Sequence, residues 1–573
     1  MTHRHFKHEG WLYALAFLLA LGLRLAQLGV MPLTDAEALP ALQAFRISQG
    51  LKPALSPHPF YILSTSIFFF LHGGGTNFFA RIAPALAGSL LVFAPLFLQR
   101  IKPRPGLILA FFIAIDPGLT ALSRQAASPI FAITFLLFAW GFFSQNKPLL
   151  TGFFAALALL GGPSIWAGLL GLGITWALYQ AFDLRLKLRN QPVEESTEAD
   201  IHPVPFNFQL FSISFAVTLL TAGTLFFITP NGLSAALASI PAYIISWQTP
   251  ADVPPGRLFL SLLVYQPLTL LLALSAIVRG IRKGSGRIIP IAIWFFVSLL
   301  LAVFIPSRQV SDLAWTLIPL SALAALELVR YIGIFPAERV EIAGVVLLTA
   351  FIWAFVWLDF SKLAWVQFPS PEFSMRFWLL LGALLLLVFS ILLVASGWSI
   401  RTARLGGIWG LAVVLGVFSL GGALGSAGLR GLAYPELWWQ ANIPAHAELL
   451  RSTANDLSNW ALGDDNSAPV LIAGVNSPAL EWALREHQVT VVESLDISSS
   501  PYFVITPLQD DPALASSYRG QDFTWRQSPL WNDALSMQSW ARWVALREMP
   551  ASGETIILWV RDDMFIDDSV PVP

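Results

Sequence analysis

Asp35 and Glu37 stand two residues apart at the head of an amphipathic run, Ala36–Gln49. His58-Pro59 then opens a second run, Phe60–Leu71, which ends at Gly73-Gly74-Gly75, and Arg81 follows. Two more arginines, Arg124 in Ser123-Arg124-Gln125 and Arg308 in Pro306-Ser307-Arg308-Gln309, sit in short loops between apolar stretches. A carboxylate can take the proton of an acceptor hydroxyl. A guanidinium grips a phosphate through two N–H groups and stabilises it as it leaves. A carboxylate pair, a histidine and arginines gathered at one membrane interface suit chemistry on a lipid phosphate. Each residue also has a plain structural reading. Asp35 can cap the helix that contains Glu37, His58 can be a turn residue, and Arg81, Arg124 and Arg308 can snorkel to headgroups. Arg24 reads as snorkelling or packing rather than as a ligand.

The elements that must position these groups lie in a membrane. The chain has 573 residues, 56% of them hydrophobic and 12% charged, against about 25% charged in a soluble domain. It contains 43 Phe, 22 Trp and no Cys. The missing Cys excludes disulfide scaffolds, Cys-ligated zinc, iron–sulfur clusters and thiol nucleophiles. A net charge of −1, with no Lys/Arg-rich run, gives no case for nucleic acid. Spanning-length runs begin at Trp11–Val30 and continue at roughly 81–100, 106–123, 130–146, 149–161, 165–182, 209–228, 257–279, 288–305, 313–332, 342–360, 376–398 and 407–425, about 13 spans in all. The 149–182 stretch is either two short spans broken at Gly161-Gly162-Pro163 or one long kinked span. The fold class is an α-helical polytopic membrane protein, with residues 1–425 as its membrane domain.

Loop charges orient it. With a cytoplasmic N-terminus, Arg100/Lys102/Arg104, Lys147, Arg185/Lys187/Arg189, Arg279/Arg282/Lys283/Arg287, Arg330/Arg339 and Arg401/Arg404 all face the cytoplasm, which satisfies the positive-inside rule. The acidic 183–208 loop is then a cytoplasmic linker. Segment 31–80 is the first outer loop, with two helices lying on the outer surface. Residues 426–573 form an extracytoplasmic domain of roughly 145 residues, an ordinary domain size. Strands are expected at Pro469–Val475, Val489–Val492, Tyr502–Thr506 and Thr555–Val560, a helix at Pro478–Glu486, and a polar stretch at Asn455–Asn466, a small α/β domain.

The segments Leu23-Arg24-Leu25, Pro32-Leu33-Thr34-Asp35-Ala36-Glu37-Ala38, Ser56-Pro57-His58-Pro59-Phe60-Tyr61 and Ala80-Arg81-Ile82-Ala83-Pro84-Ala85-Leu86-Ala87-Gly88 resemble the opening of the GT-C membrane glycosyltransferases. The likeness is to the protein-mannosyltransferase/aminoarabinose-transferase branch and to the dolichyl-phosphate-mannose–protein mannosyltransferase type. Ser123-Arg124 looks like that family's Ser-Arg motif, and Pro306-Ser307-Arg308 like its later outer arginine. The strong likeness covers about 31–130 and a looser one extends to about 330. The resemblance implies a plasma-membrane transferase that takes a polyprenyl-phosphate sugar on the outer face. It would pass the sugar to a lipid, glycan or protein acceptor. Glu37 occupies the family's Glu, the family's catalytic Asp falls at Ala36, and His58 and Arg81 match the family's His and Arg. An acid that often follows Ser-Arg is absent, and Gly161-Gly162-Pro163 stands where the family often has Lys-Gly-Pro.

The resulting reading makes Glu37 or Asp35 the base and His58, Arg81, Arg124 and Arg308 the donor-phosphate ligands. No metal ligand set is identified, and no cofactor is specified. On a helix, residues two apart point about 200° apart, whereas on an extended segment they share a face. Family register and the start of the amphipathic run favour Glu37 as the acid facing the cavity, with Asp35 as the helix cap. The alternative is a non-catalytic relative that binds or presents lipid-linked sugars with a partner protein. A secondary transporter is disfavoured, since no ionisable pair within the membrane and no inverted repeat is visible.

Overall fold

The computed structural model describes residues 6–98, 103–189, 206–250, 253–332, 338–496, 498–509, 514–531, 533 and 535–565. His3, Arg4, His5, Arg100, Lys102 and Glu194, Glu195, Glu198 and Asp200 lie outside them.

Helix α1 (Phe6–Leu25) leads to α2 (Asp35–Ser48) and α3 (Pro59–His72), where the sequence places two short outer-loop helices. Then come α4 (Asn77–Leu90), α5 (Ala94–Phe97), α6 (Pro103–Ile115) and α7 (Pro117–Ser123). They are followed by α8 (Ile130–Ser144), α9 (Pro148–Leu159), α10 (Ser164–Arg189), α11 (Phe208–Gly223) and α12 (Asn231–Ser246). The helical region closes with α13 (Pro255–Tyr265), α14 (Pro267–Lys283), α15 (Ile288–Phe304), α16 (Ala314–Leu328), α17 (Arg339–Leu363), α18 (Pro371–Gly397) and α19 (Ile400–Ser426). Among the described residues, six helical stretches are long and apolar enough to cross a membrane, or eight if each of two bent pairs is one span. Five further apolar helices, Pro59–His72, Ile130–Ser144, Pro148–Leu159, Phe208–Gly223 and Ile288–Phe304, are shorter.

Proline sets the breaks. The 257–279 run, expected as one span, is two helices meeting at 96°. Pro267 lacks an N–H and pushes the residue before it out of the helical region, and Gln266 sits at φ −120°, ψ 33°. Pro117 bends α6 against α7 by 59°, and the Asp116 carboxylate caps the new helix by accepting from Leu119 N at 2.8 Å. The 149–182 stretch is two helices, parted at Gly162 with φ +104°.

Beyond α19 the chain builds a six-stranded mixed sheet from β1 (Ile443–Pro444), β2 (Val470–Ala473), β3 (Val489–Val492), β4 (Phe503–Pro507), β5 (Tyr518–Pro529) and β6 (Ala551–Arg561). Its order is β1-β5-β6-β4-β2-β3. β2 pairs in parallel with β3 and β4, and the other pairings are antiparallel. Helices α20 (Ala447–Leu462), α21 (Pro478–Ala483) and α22 (Met537–Leu546) accompany it. One hydrophobic core runs unbroken from the membrane-type helices into this sheet region. Trp482 of α21 packs against Phe45 of α2 and Phe69 of α3.

Candidate functional site

The first turn of α2 sends its two acids in different directions. Thr34 is the N-cap residue, which corrects the assignment of that role to Asp35. The Glu37 carboxylate reaches back three residues to accept from Thr34 N at 3.2 Å, the carboxylate half of a capping box. Asp35, at the first helical position, turns to the sheet region. Its Oδ1 accepts from Ser477 Oγ at 2.5 Å and Ala479 N at 3.1 Å, and its Oδ2 accepts from Arg526 Nε at 2.9 Å.

Glu37 turns inward and is only 2% exposed. Arg81 of α4 meets it bidentately, with Nε to Oε1 at 2.9 Å and Nη2 to Oε2 at 2.7 Å. Ala126 N donates to Oε1 at 2.9 Å, and the Thr34 hydroxyl donates to Oε2 at 3.3 Å. The remaining reach of Arg81 goes to the carbonyls of Met31 at 2.7 Å and Pro32 at 2.9 Å. This satisfies the rule that a buried charge is paired and hydrogen-bonded. Arg124, just past α7, donates to the carbonyls of Leu23, Arg24, Ala26 and Gln27 at 2.7–3.2 Å. It thereby sits on the negative end of α1.

Glu37, Arg81 and Arg124 line one cavity of about 40 Å³. Neutral polar groups complete its wall: Thr34, Gln125, Ser426 and Gln440, with Trp439 beside them. The structure therefore brings three of the six sequence candidates together. Asp35 binds the sheet region instead. Arg308 is partly exposed and donates to Val303 O at 3.0 Å and Val253 O at 3.2 Å, away from the cavity lining. His58 begins α3 with its ring against Gly162, where an added Cβ would fall 2.6 Å from His58 Cδ2. Burial pushes its pKa from 6.5 down to about 4, so at neutral pH it is an uncharged imidazole. The histidine and the Gly-Gly-Pro singled out in the sequence thus meet each other.

Thr34 carries a local signal in the sequence, Thr-x-x-Glu ahead of an apolar run. Ser426, Trp439 and Gln440 carry none, because they reach the site from the far end of the helical region. Arg24 is fully buried and donates to Ser123 Oγ at 3.1 Å and to the carbonyls of Ala20, Ala114 and Ile113, so it packs and does not snorkel. Asp116 is buried as well, its carboxylate accepting from Leu119 N and Gln266 Nε2. Among the described residues, no group of three or more His, Asp or Glu side chains is gathered where a metal ion could sit.

No protein-family model matches the chain, and no curated protein does. Among solved structures it is similar to the crystal structure of ArnT from Cupriavidus metallidurans bound to undecaprenyl phosphate, at 14% identity over 85% of this chain and 87% of that one, with a TM-score of 0.51. The apo state of the same protein aligns at 14% identity over 85% and 86%, with a TM-score of 0.47. The apo oligosaccharyltransferase of Archaeoglobus fulgidus aligns at 15% identity over 71% and 57%, with a TM-score of 0.35. The first of these likenesses shows that the chain shares the fold of that protein, and the other two add no weight.

Proposed function

We propose that this chain is a membrane glycosyltransferase that moves a sugar from a polyprenyl-phosphate donor to a lipid, glycan or protein acceptor on the outer face of the plasma membrane. The observation that carries this reading is a buried carboxylate and two guanidiniums lining one cavity, in a chain whose fold follows that of an undecaprenyl-phosphate-binding protein over 85% of its length. In the inverting reaction, the acceptor oxygen attacks the anomeric carbon. The bond from that carbon to the phosphate oxygen breaks, and its electrons leave on polyprenyl phosphate. Glu37 takes the acceptor's proton, and Arg81 and Arg124 stabilise the departing phosphate. The Thr34 hydroxyl makes the longest contact to Glu37, at 3.3 Å, and is the one an acceptor hydroxyl replaces. Asp35, His58 and Arg308 lie outside the reacting centre in this reading. The chain crosses the membrane about 13 times, with its N-terminus in the cytoplasm and residues 426–573 outside.

A second reading, a non-catalytic relative that presents lipid-linked sugars to a partner, is favoured by one feature. Glu37, Arg81 and Arg124 already have protein partners at every contact described above. Binding of undecaprenyl phosphate to the purified chain in nanodiscs tests both readings, since both require it. Sugar transfer then separates them. A reporter fused after Gly425 should be active outside the cytoplasm and one at Asp200 inside. The reverse at Gly425 would remove the outer site.

A further inference from the structure

The part of the cavity wall that carries Trp439 and Gln440 is not a helix. It is a strap, residues 439–442, stretched between two fixed ends. At one end Glu436 is buried and bound by the Tyr265 hydroxyl, by Arg547 Nε at 3.3 Å and by Arg430 Nη1 at 3.3 Å. Trp438 beside it packs onto Gly118, where an added Cβ would fall 2.6 Å from its ring. At the other end Ile443 and Pro444 form β1, in register with Gln527 and Arg526 of β5. Between these ends Trp439 N donates to Glu436 O at 3.1 Å and Asn442 N to Ser528 Oγ at 3.2 Å, and side chains make further contacts. Trp439 Nε1 donates to Ser426 O at 3.0 Å, and Gln440 is hydrogen-bonded to the Thr34 hydroxyl. Asn442, at φ +62°, takes the left-handed turn into the sheet.

Two consecutive residues grip both parts of this wall. Thr34 holds Gln440. Asp35 holds Arg526, the residue paired with Pro444 at the strap's end. The space beneath, about 40 Å³, has room for only a few water molecules, given that one needs about 10–15 Å³. A sugar ring and its phosphate need the wall to move. Ser426, 3% exposed, lines that space, and its hydroxyl has no partner.

We propose that residues 439–442 are the movable wall of the sugar-transfer cavity and that Asp35 is its positioning residue, seating the wall through the ion pair with Arg526. This rests on the cavity being the transfer site. The other non-helical wall residues, at 28–34 and 124–125, are tied down by guanidiniums, Arg81 to the carbonyls of Met31 and Pro32 and Arg124 to those of Ala26 and Gln27, whereas the strap moves by breaking the Trp439 N–Glu436 O bond and its side-chain contacts. Asp35 would then affect transfer without touching the reacting atoms, and the two neighbouring acids would divide the work between chemistry and closure.

The chain has no Cys, so Ser426→Cys gives the full-length protein one thiol beneath the strap. In nanodiscs it should react slowly with a small methanethiosulfonate. Adding Asp35→Asn should speed the reaction about 10-fold, the lower end of what losing a charge-assisted hydrogen bond carries. Reversing the pair, Asp35→Arg with Arg526→Asp, should restore slow labelling. Ser458→Cys, buried in α20, should label at one rate in all backgrounds. Equal rates at Ser426→Cys with and without Asp35→Asn would overturn the proposal. So would acceleration at both reporters, which signals a loosened fold. Labelling needs no sugar donor, so the strap can fail while transfer stands, and transfer can fail while the strap stands.

Discussion

Two glutamates in the helical region are equally buried and equally well paired, yet their surroundings differ. Glu37 is 2% exposed and Glu327 1%. Glu327, near the end of α16, takes Arg279 at 2.6 Å, Arg330 at 2.8 Å and the Tyr331 hydroxyl at 3.0 Å. Ser275 Oγ adds a contact at 3.4 Å. These four partners come from α14 and from the turn directly after α16, and Glu327 lies outside the cavity. Glu37 is held by Thr34 ahead of α2, by α4 and by the backbone after α7, and it lines the cavity with a second arginine. A buried carboxylate paired to arginine is common structural cement. What separates the two is open space beside the pair and a further cation that faces it.

The largest expected effect breaks or keeps that distinction. Glu37→Gln should lower sugar transfer by about 10²–10⁴-fold, the range for a lost general base. Glu327→Gln should leave transfer per folded molecule unchanged. Glu37→Gln should cost about 3–5 kcal/mol of stability, because it strands the buried Arg81, and Glu327→Gln less, because its arginines reach solvent. Initial rates normalised to the folded fraction check this, and an equal loss in both variants would erase the contrast.

The second arginines sharpen it. Arg124→Ala should weaken undecaprenyl phosphate binding by about 10- to 100-fold, as read by titration in nanodiscs. Arg330→Ala removes a partner of Glu327 whose side chain is 42% exposed. It should change stability by no more than about 1 kcal/mol and binding not at all. The cap comes next. Thr34→Ala should cost about 0.5–2 kcal/mol in chemical unfolding, an effect with no counterpart at Glu327.

The smallest effect concerns charge near neutral pH. The folded pKa of His58, about 4, lies below its ordinary value of 6.5. The unfolded chain therefore binds more protons between those values, and stability is lost as pH falls through that window. His58→Asn should flatten the stability profile between about pH 4 and 6.5, with transfer at pH 7 little changed. A pH-independent wild type would return a charge to the His58–Gly162 contact.

Much of this was legible in the sequence where local rules govern. The two short helices of 31–80, the break at Gly161-Gly162-Pro163, and four of the six strands follow from apolar runs and turn residues, whereas the bends at Pro117 and Pro267 fell inside runs read as single spans. The 200° divergence of Asp35 and Glu37 follows from helix geometry alone. β5 was missed because Tyr518–Pro529 buries only Phe523 and Trp525 and otherwise reads as polar. α20 was missed because its buried positions are a single stripe, Leu450, Ala454 and Ser458, in a polar segment. The partners of Asp35 were not legible, since Ser477 and Arg526 lie more than four hundred residues away in sequence. A capping role was the local expectation for Asp35, and a tertiary contact displaced it. The loop charges were read as topology signals only, but Arg279 and Arg330 also neutralise Glu327.

The most direct measurement is consumption of a lipid-linked sugar. Purified chain would be reconstituted with undecaprenyl-phosphate-linked hexoses and pentoses and offered lipid, glycan and peptide acceptors, with release of undecaprenyl phosphate followed over time. The account predicts release by the wild type with at least one donor, loss of that release in Glu37→Gln, and retention in Glu327→Gln in proportion to folded protein. Undecaprenyl phosphate that binds without any sugar being released, or release that Glu37→Gln leaves intact, would contradict it.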